Sequence, residues 1–143
     1  MNKKGKSISR SERVHSLLLD PDRKDIAATE WLILYSILNN KKPTLEFIDE
    51  ELKKMWRRIH EHNPKFFLTF PKSNDGHNVT EMTVFEELMR FCDVGIVDII
   101  DIKINERRKE GIPMWGITAK GERVLKEWWP RVKEYLPSIE FNE

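Results

Sequence analysis

The histidines, the cysteine and the glycines of this chain are not spaced as catalytic or metal-binding motifs require. The four histidines are His15, His60, His62 and His77, and Cys92 is the single cysteine. His60 and His62 stand two positions apart, which puts their rings about 200° apart on a regular helix, so they cannot hold one metal ion together. The patterns CxxC, HExxH and GxSxG do not occur, and the six glycines form no phosphate-cradling loop. A lone cysteine with distant histidines is a weak nucleophile pattern. Cys92 falls on the apolar side of a helical pattern and reads as a small core residue. The expectation is a protein that is not an enzyme, with no metal, cofactor or small-molecule ligand.

The chemistry that remains is charge. Arg107, Arg108 and Lys109 form the densest basic cluster outside the chain's first ten residues, flanked by Glu106 and Glu110. Such a cluster either contacts phosphates or keeps a turn soluble and free of edge pairing. Lys3, Lys4 and Lys6 lie in a polar stretch, residues 1–10, that reads as a flexible basic arm able to touch phosphates without sequence preference. The whole chain carries a net charge of only +1, so a nucleic-acid role must rest on local patches.

The totals fit one domain, residues 11–143 after the arm. Of 143 residues, 39% are hydrophobic, with five Trp and seven Phe, enough for one core. A single cysteine allows no internal disulfide, which fits an intracellular, cytoplasmic protein. No apolar run is long enough to span a bilayer. The lack of Gln, the many Ile and the 34% charged content point to a thermophilic source.

The elements that must position these residues follow from periodicity. Ser11 to Leu19 is compatible with a short helix before Asp20-Pro21, and Leu17 and Leu18 in it need burial. Ala27 to Asn40 is apolar all round, from Trp31 to Leu38, and reads as a buried central helix. Thr44 caps a second helix running to about His62, with Leu45, Ile48, Leu52, Met55, Trp56 and Ile59 on one stripe. Its polar faces suggest pairs such as Asp49–Lys53 and Glu50–Lys54. Pro64 to Val79 is an insertion, in which Phe66, Phe67 and Phe70 suggest an apolar flap. Val79 to Asp93 is a third helix. Its apolar half holds Met82, Val84, Phe85, Leu88, Met89 and Phe91, and its outer half Thr80, Thr83, Glu86, Glu87 and Arg90. After Gly95, Ile96 to Ile104 is a β-branched strand with Ile100, Ile102 and Ile104 on one face, which the alternation permits to be buried. A charged tip and a second strand, PMWGIT, follow. Thr118 caps a last helix, in which Pro130 breaks or restarts the pattern.

The stretch from Thr80 to Leu125 resembles the second half of a winged-helix DNA-binding domain. Glu87-Leu88 through Gly95-Ile96-Val97 is similar to the family's recognition helix running into its wing. Trp115-Gly116-Ile117-Thr118-Ala119-Lys120-Gly121 is similar to its exit from the wing. Glu30 to His62 can be fitted to the first half. A plain β-hairpin between two helices is the alternative. The resemblance implies a mainly α fold with a small antiparallel β-hairpin: a winged helix-turn-helix with a wing at about 96–118 and extra terminal helical segments. It also implies a transcription regulator that binds double-stranded DNA. Thr80, Thr83, Glu87 and Arg90 would face bases, and Arg107, Arg108 and Lys109 would hold the minor groove or phosphates. Two Glu against one Arg on the third helix fit poorly with the phosphate-rich groove. A winged-helix protein–protein interaction module is therefore the competing expectation, with exposed Phe66, Phe67 and Phe70 as its docking patch. The apolar pattern persists through Trp128, Trp129, Tyr135 and Leu136. A homodimer joined through Leu17, Leu18 and these residues (segments 11–20 and 124–141) is expected, with packing back onto the chain's own core as the alternative.

Overall fold

A computed structural model describes residues 23–70 and 81–141. The arm with Lys3, Lys4 and Lys6, the segment with Leu17 and Leu18, the loop at 71–79, and Thr80 lie outside the described residues. Among the described residues, four helices and one antiparallel hairpin follow in the order α1 (Lys24–Leu38), α2 (Leu45–His62), α3 (Glu81–Asp93), β1 (Val97–Asn105), β2 (Glu110–Ile117), α4 (Ala119–Val132) and a 3₁₀ turn at Lys133–Tyr135. The fold is mainly helical with a two-stranded sheet.

The central helix is α1, for the reason its sequence gives. Eleven of its fifteen residues are buried, so it has no face for solvent. It packs against α2, α4 and β2. Helix α2 buries its stripe of Ile48, Leu52, Met55 and Ile59 together with Asp49, and Leu45 and Trp56 pack at the core's edge. The local stop and start signals act as their chemistry requires. The Thr44 hydroxyl accepts the Phe47 N–H at 3.2 Å, and the Thr118 hydroxyl accepts the Gly121 N–H at 3.1 Å. Gly95 ends α3 with φ +76°, a left-handed conformation that favours glycine. Helix α4 continues through Pro130 to Val132 before tightening into the 3₁₀ turn.

The insertion contributes to the core. Phe66, Leu68 and Phe70 are buried in alternation, as in an extended segment with one inward face. The Trp56 indole N–H donates to the Phe66 carbonyl at 3.1 Å, and the Thr69 N–H donates to the Thr29 hydroxyl at 2.9 Å, fastening the segment to α2 and α1. Phe66 and Phe70 therefore offer no exposed patch, and Phe67 is half-buried against Trp56 and His60.

The terminal residues also turn inward. Trp129 stacks on Trp31 with ring centroids 4.8 Å apart, and Phe141 meets Trp31 edge-on at 5.2 Å. The Trp31 indole N–H donates to the Leu125 carbonyl at 2.9 Å, and the Tyr35 hydroxyl to the Glu140 carbonyl at 2.9 Å. Trp128, Trp129 and Leu136 are buried and Tyr135 is half-buried within the single chain. The dimer interface expected at these four residues is thus corrected. Their apolar surface is satisfied by α1, which is buried on nearly every side.

The hairpin is anchored at its base and free beyond it. Val97 and Trp115 are buried, but from Ile99 to Ile104 every residue of β1 is exposed. A register shift between Ile99 and Asp101 marks a β-bulge with Ile100 as the extra residue. The Trp115 N–H donates to the Pro43 carbonyl at 2.9 Å, beside a Thr44–Met114 bridge. The Trp115 peptide therefore points away from β1. Peptide direction alternates along a strand, so Pro113 and Gly111 point the same way, and their partners Ile102 and Ile104 point outward on the other side. Pro113 thereby falls where its missing N–H costs no ladder bond.

Candidate interaction surface

Helix α3 and the hairpin hold most of the residues singled out for recognition, and the structure rearranges them. Glu87 is fully buried, with the Arg90 guanidinium lying against its carboxylate. Arg90 itself is largely covered, its side chain 18% exposed. Two residues expected to face bases are thus an internal ion pair. The physical reason is pairing: each charge makes the other's burial tolerable. Glu30 of α1 is also fully buried, without a hydrogen-bond partner for either oxygen. Burial pushes its carboxyl well above the usual carboxylate range, while the charge of Arg90 pulls it the other way. Thr83 is half-buried.

What α3 shows to solvent is Glu81, Met82, Phe85, Glu86, Met89 and Asp93. Met82 is 66% exposed, and Phe85 and Met89 follow it at helical spacing on the same side. This side was read as apolar and core-facing; the core takes only Val84, Leu88 and Phe91 from it. The exposed face is apolar and acidic, with no exposed basic residue on it.

The hairpin departs from expectation in the same direction. Ile99, Ile100, Ile102 and Ile104 are 49%, 52%, 57% and 65% exposed. Among the described residues no helix covers these isoleucines; Ile102 and Ile104 share one face, and the bulge turns Ile100 to the other. Ile100 lies over Gly116 and Ile102 over Gly111, so the opposite strand supplies no side chain at those points. At the tip, Arg107, Arg108 and Lys109 are exposed. Arg108 approaches Glu110 at 3.8 Å, and its backbone N–H donates to the Asn105 side chain at 3.1 Å. Lys42 donates to Asp101 at 2.8 Å, and this bond holds the Asp101 carboxyl below the usual range.

Along α2, Asp49 pairs with Lys53 at 2.9 Å as its spacing suggests, whereas Lys54 approaches Glu51 at 3.8 Å. Arg57 and Arg58 are exposed. The histidine ring nitrogens meet backbone: His60 Nδ1 lies 3.2 Å from the Phe66 carbonyl, and His62 Nδ1 lies 3.0 Å from that of Arg58. Among the described residues no group of three His, Cys, Asp or Glu could hold a metal ion. Cys92 is half-buried; burial first, then Asp98 and Asp93, push its thiol up. Among the described residues no helix is long and apolar enough to cross a membrane.

The exposed Ile face of β1 and the exposed Met and Phe of α3 were not found from sequence. Alternation and helical spacing show which residues share a face, but not whether anything covers that face. No family model, curated protein or solved structure matches this chain.

Proposed function

We propose that this chain is a winged-helix module that docks onto protein through its third helix and wing rather than reading base edges. Support for the winged-helix reading comes from the element order, with three helices and then a hairpin, and from the Thr44–Met114 bridge that ties the turn before α2 to the wing. The observation that carries the docking reading is the exposure of Ile99, Ile100, Ile102 and Ile104 on one strand. A strand with this many exposed large apolar side chains is typical of a surface with a partner. The internal Glu87–Arg90 pair and the acidic outer face of α3 add to it, because a helix entering the major groove meets dense negative charge.

A second reading keeps DNA as a partner of the tip alone. Its support is that Arg107 and Lys109 stand exposed at the end of the hairpin, where they can reach phosphates. One titration tests both. The protein is added to a fluorescent random duplex at low and at physiological salt. The docking reading gives at most a weak, salt-sensitive contact, which the triple change Arg107→Ala, Arg108→Ala, Lys109→Ala abolishes. Binding to a defined sequence that Met82→Ala or Glu86→Ala disrupts would end the docking reading, because α3 would then be reading bases.

A further inference from the structure

The outer edge of β1 carries a pattern that is complementary to itself. The peptides of Ile102 and Ile104 point away from β2, so they are free to pair with another strand. The Ile102 N–H is met only by the side chain of the residue before it, donating to Asp101 Oδ1 at 2.8 Å. Asp101 and Lys103 flank Ile102 on the opposite face of the strand from Ile102 and Ile104, and both are exposed. Consider two copies of β1 laid antiparallel about a twofold axis at Ile102. The two Ile102 residues exchange backbone bonds, which their outward peptides allow. Asp101 of each copy falls opposite Lys103 of the other, twice over. Ile102 and Ile104 of both copies then share one apolar face, which ends at the bulge at Ile100. A register one residue off would place Asp101 or Lys103 against Ile102 and turn the isoleucines to opposite faces. The backbone direction, the charges and the apolar face therefore agree on one register.

We infer that the occupant of this edge is a second copy of the same chain, joined strand to strand through β1 into a four-stranded antiparallel sheet with Ile102 on the twofold axis. This rests on the docking reading and names its partner. The contact is isologous, so it closes on itself and does not propagate. Pairing releases Asp101 Oδ1 from the Ile102 N–H and leaves it to meet the partner copy's lysine. The Lys42 contact, made by Asp101 Oδ2, stays in place. An edge strand with exposed isoleucines and a single bulge is otherwise poorly guarded against pairing.

The test uses charge reversal on the full chain, with sedimentation velocity across a concentration series. Wild type sediments at twice the 17.1 kDa chain mass. Asp101→Lys alone places lysine opposite lysine, and Lys103→Asp alone places aspartate opposite aspartate. Each weakens the dimer about tenfold or more, an estimate from cross-strand pair energies counted twice. Mixing the two variants restores both opposite-charge pairs and yields a heterodimer, read by labelling one of them. Circular dichroism of each variant checks that the helices persist. A wild type that stays monomeric throughout overturns the proposal. A dimer indifferent to both reversals overturns it too, as do weakened variants that fail to rescue each other when mixed. Those failures leave the DNA titration untouched. Sequence-specific binding through α3 would instead end the docking reading whatever the mass of the protein.

Discussion

Replacing Arg90 with methionine isolates the energetics of the buried pair. The substitution keeps an unbranched apolar stem and removes only the guanidinium. Glu87, fully buried, is then left with no counter-charge against it. Breaking a buried pair from one side costs about 3–5 kcal/mol. The side chain of Arg90 is 18% exposed, so water reaches part of the site and the lower end, about 3 kcal/mol, is expected. For a domain of this size that is a fall in Tm of about 10 °C. Urea unfolding followed by circular dichroism at neutral pH measures it, with an unchanged slope as the sign that both states keep their exposed surface. Adding Glu87→Gln to Arg90→Met removes the stranded charge, and most of the loss should return. If Arg90→Met costs less than about 1 kcal/mol, below the range for a broken buried pair, the two residues are not the internal pair described.

Two further outcomes follow from the core. Glu30 has its carboxyl held above the usual range by burial, so its contribution to stability is present below its ordinary value and lost as pH rises through its folded-state value. Glu30→Gln removes that loss, so its Tm should gain on that of wild type as pH goes from 4.5 toward neutral; parallel curves would refute the assignment. Gly121→Ala should destabilise the fold although alanine favours helix, because the new Cβ would collide with the Ile96 carbonyl oxygen and come 2.5 Å from Ile117 Cγ1. A variant that unfolds at a higher urea concentration than wild type would show that α4 has room to shift.

What could be read from sequence was what local chemistry decides. Thr44 and Thr118 announce caps because a hydroxyl and an N–H three residues on need nothing else. Helix α1 announces its burial because no face of it is polar. Glu87 could not be placed that way. It stands on the polar side of its helix, and its burial depends on Arg90 one turn on and on how α3 packs against the rest of the chain. The tail was ambiguous for a related reason. An apolar pattern at 124–141 fits its own core as well as a second copy, and only the Trp31–Trp129 stack decides between them. The isoleucines of β1 show the limit most clearly, since alternation can permit a buried face without providing anything to bury it against.

The embrace of Trp31 by Trp129 and Phe141 also sets the order in which this molecule can come into being. The bonds that seal that side of α1 span 94 residues, from Trp31 to Leu125, and 105 residues, from Tyr35 to Glu140. Helix α1 leaves the ribosome before the residues that cover it on that side. It must wait, uncovered on that side, until synthesis has passed Phe141. Long-range closure of this kind slows folding and leaves a nascent chain open to wrong contacts. A cell that makes this protein must shield one greasy helix until the residues that close over it have been made.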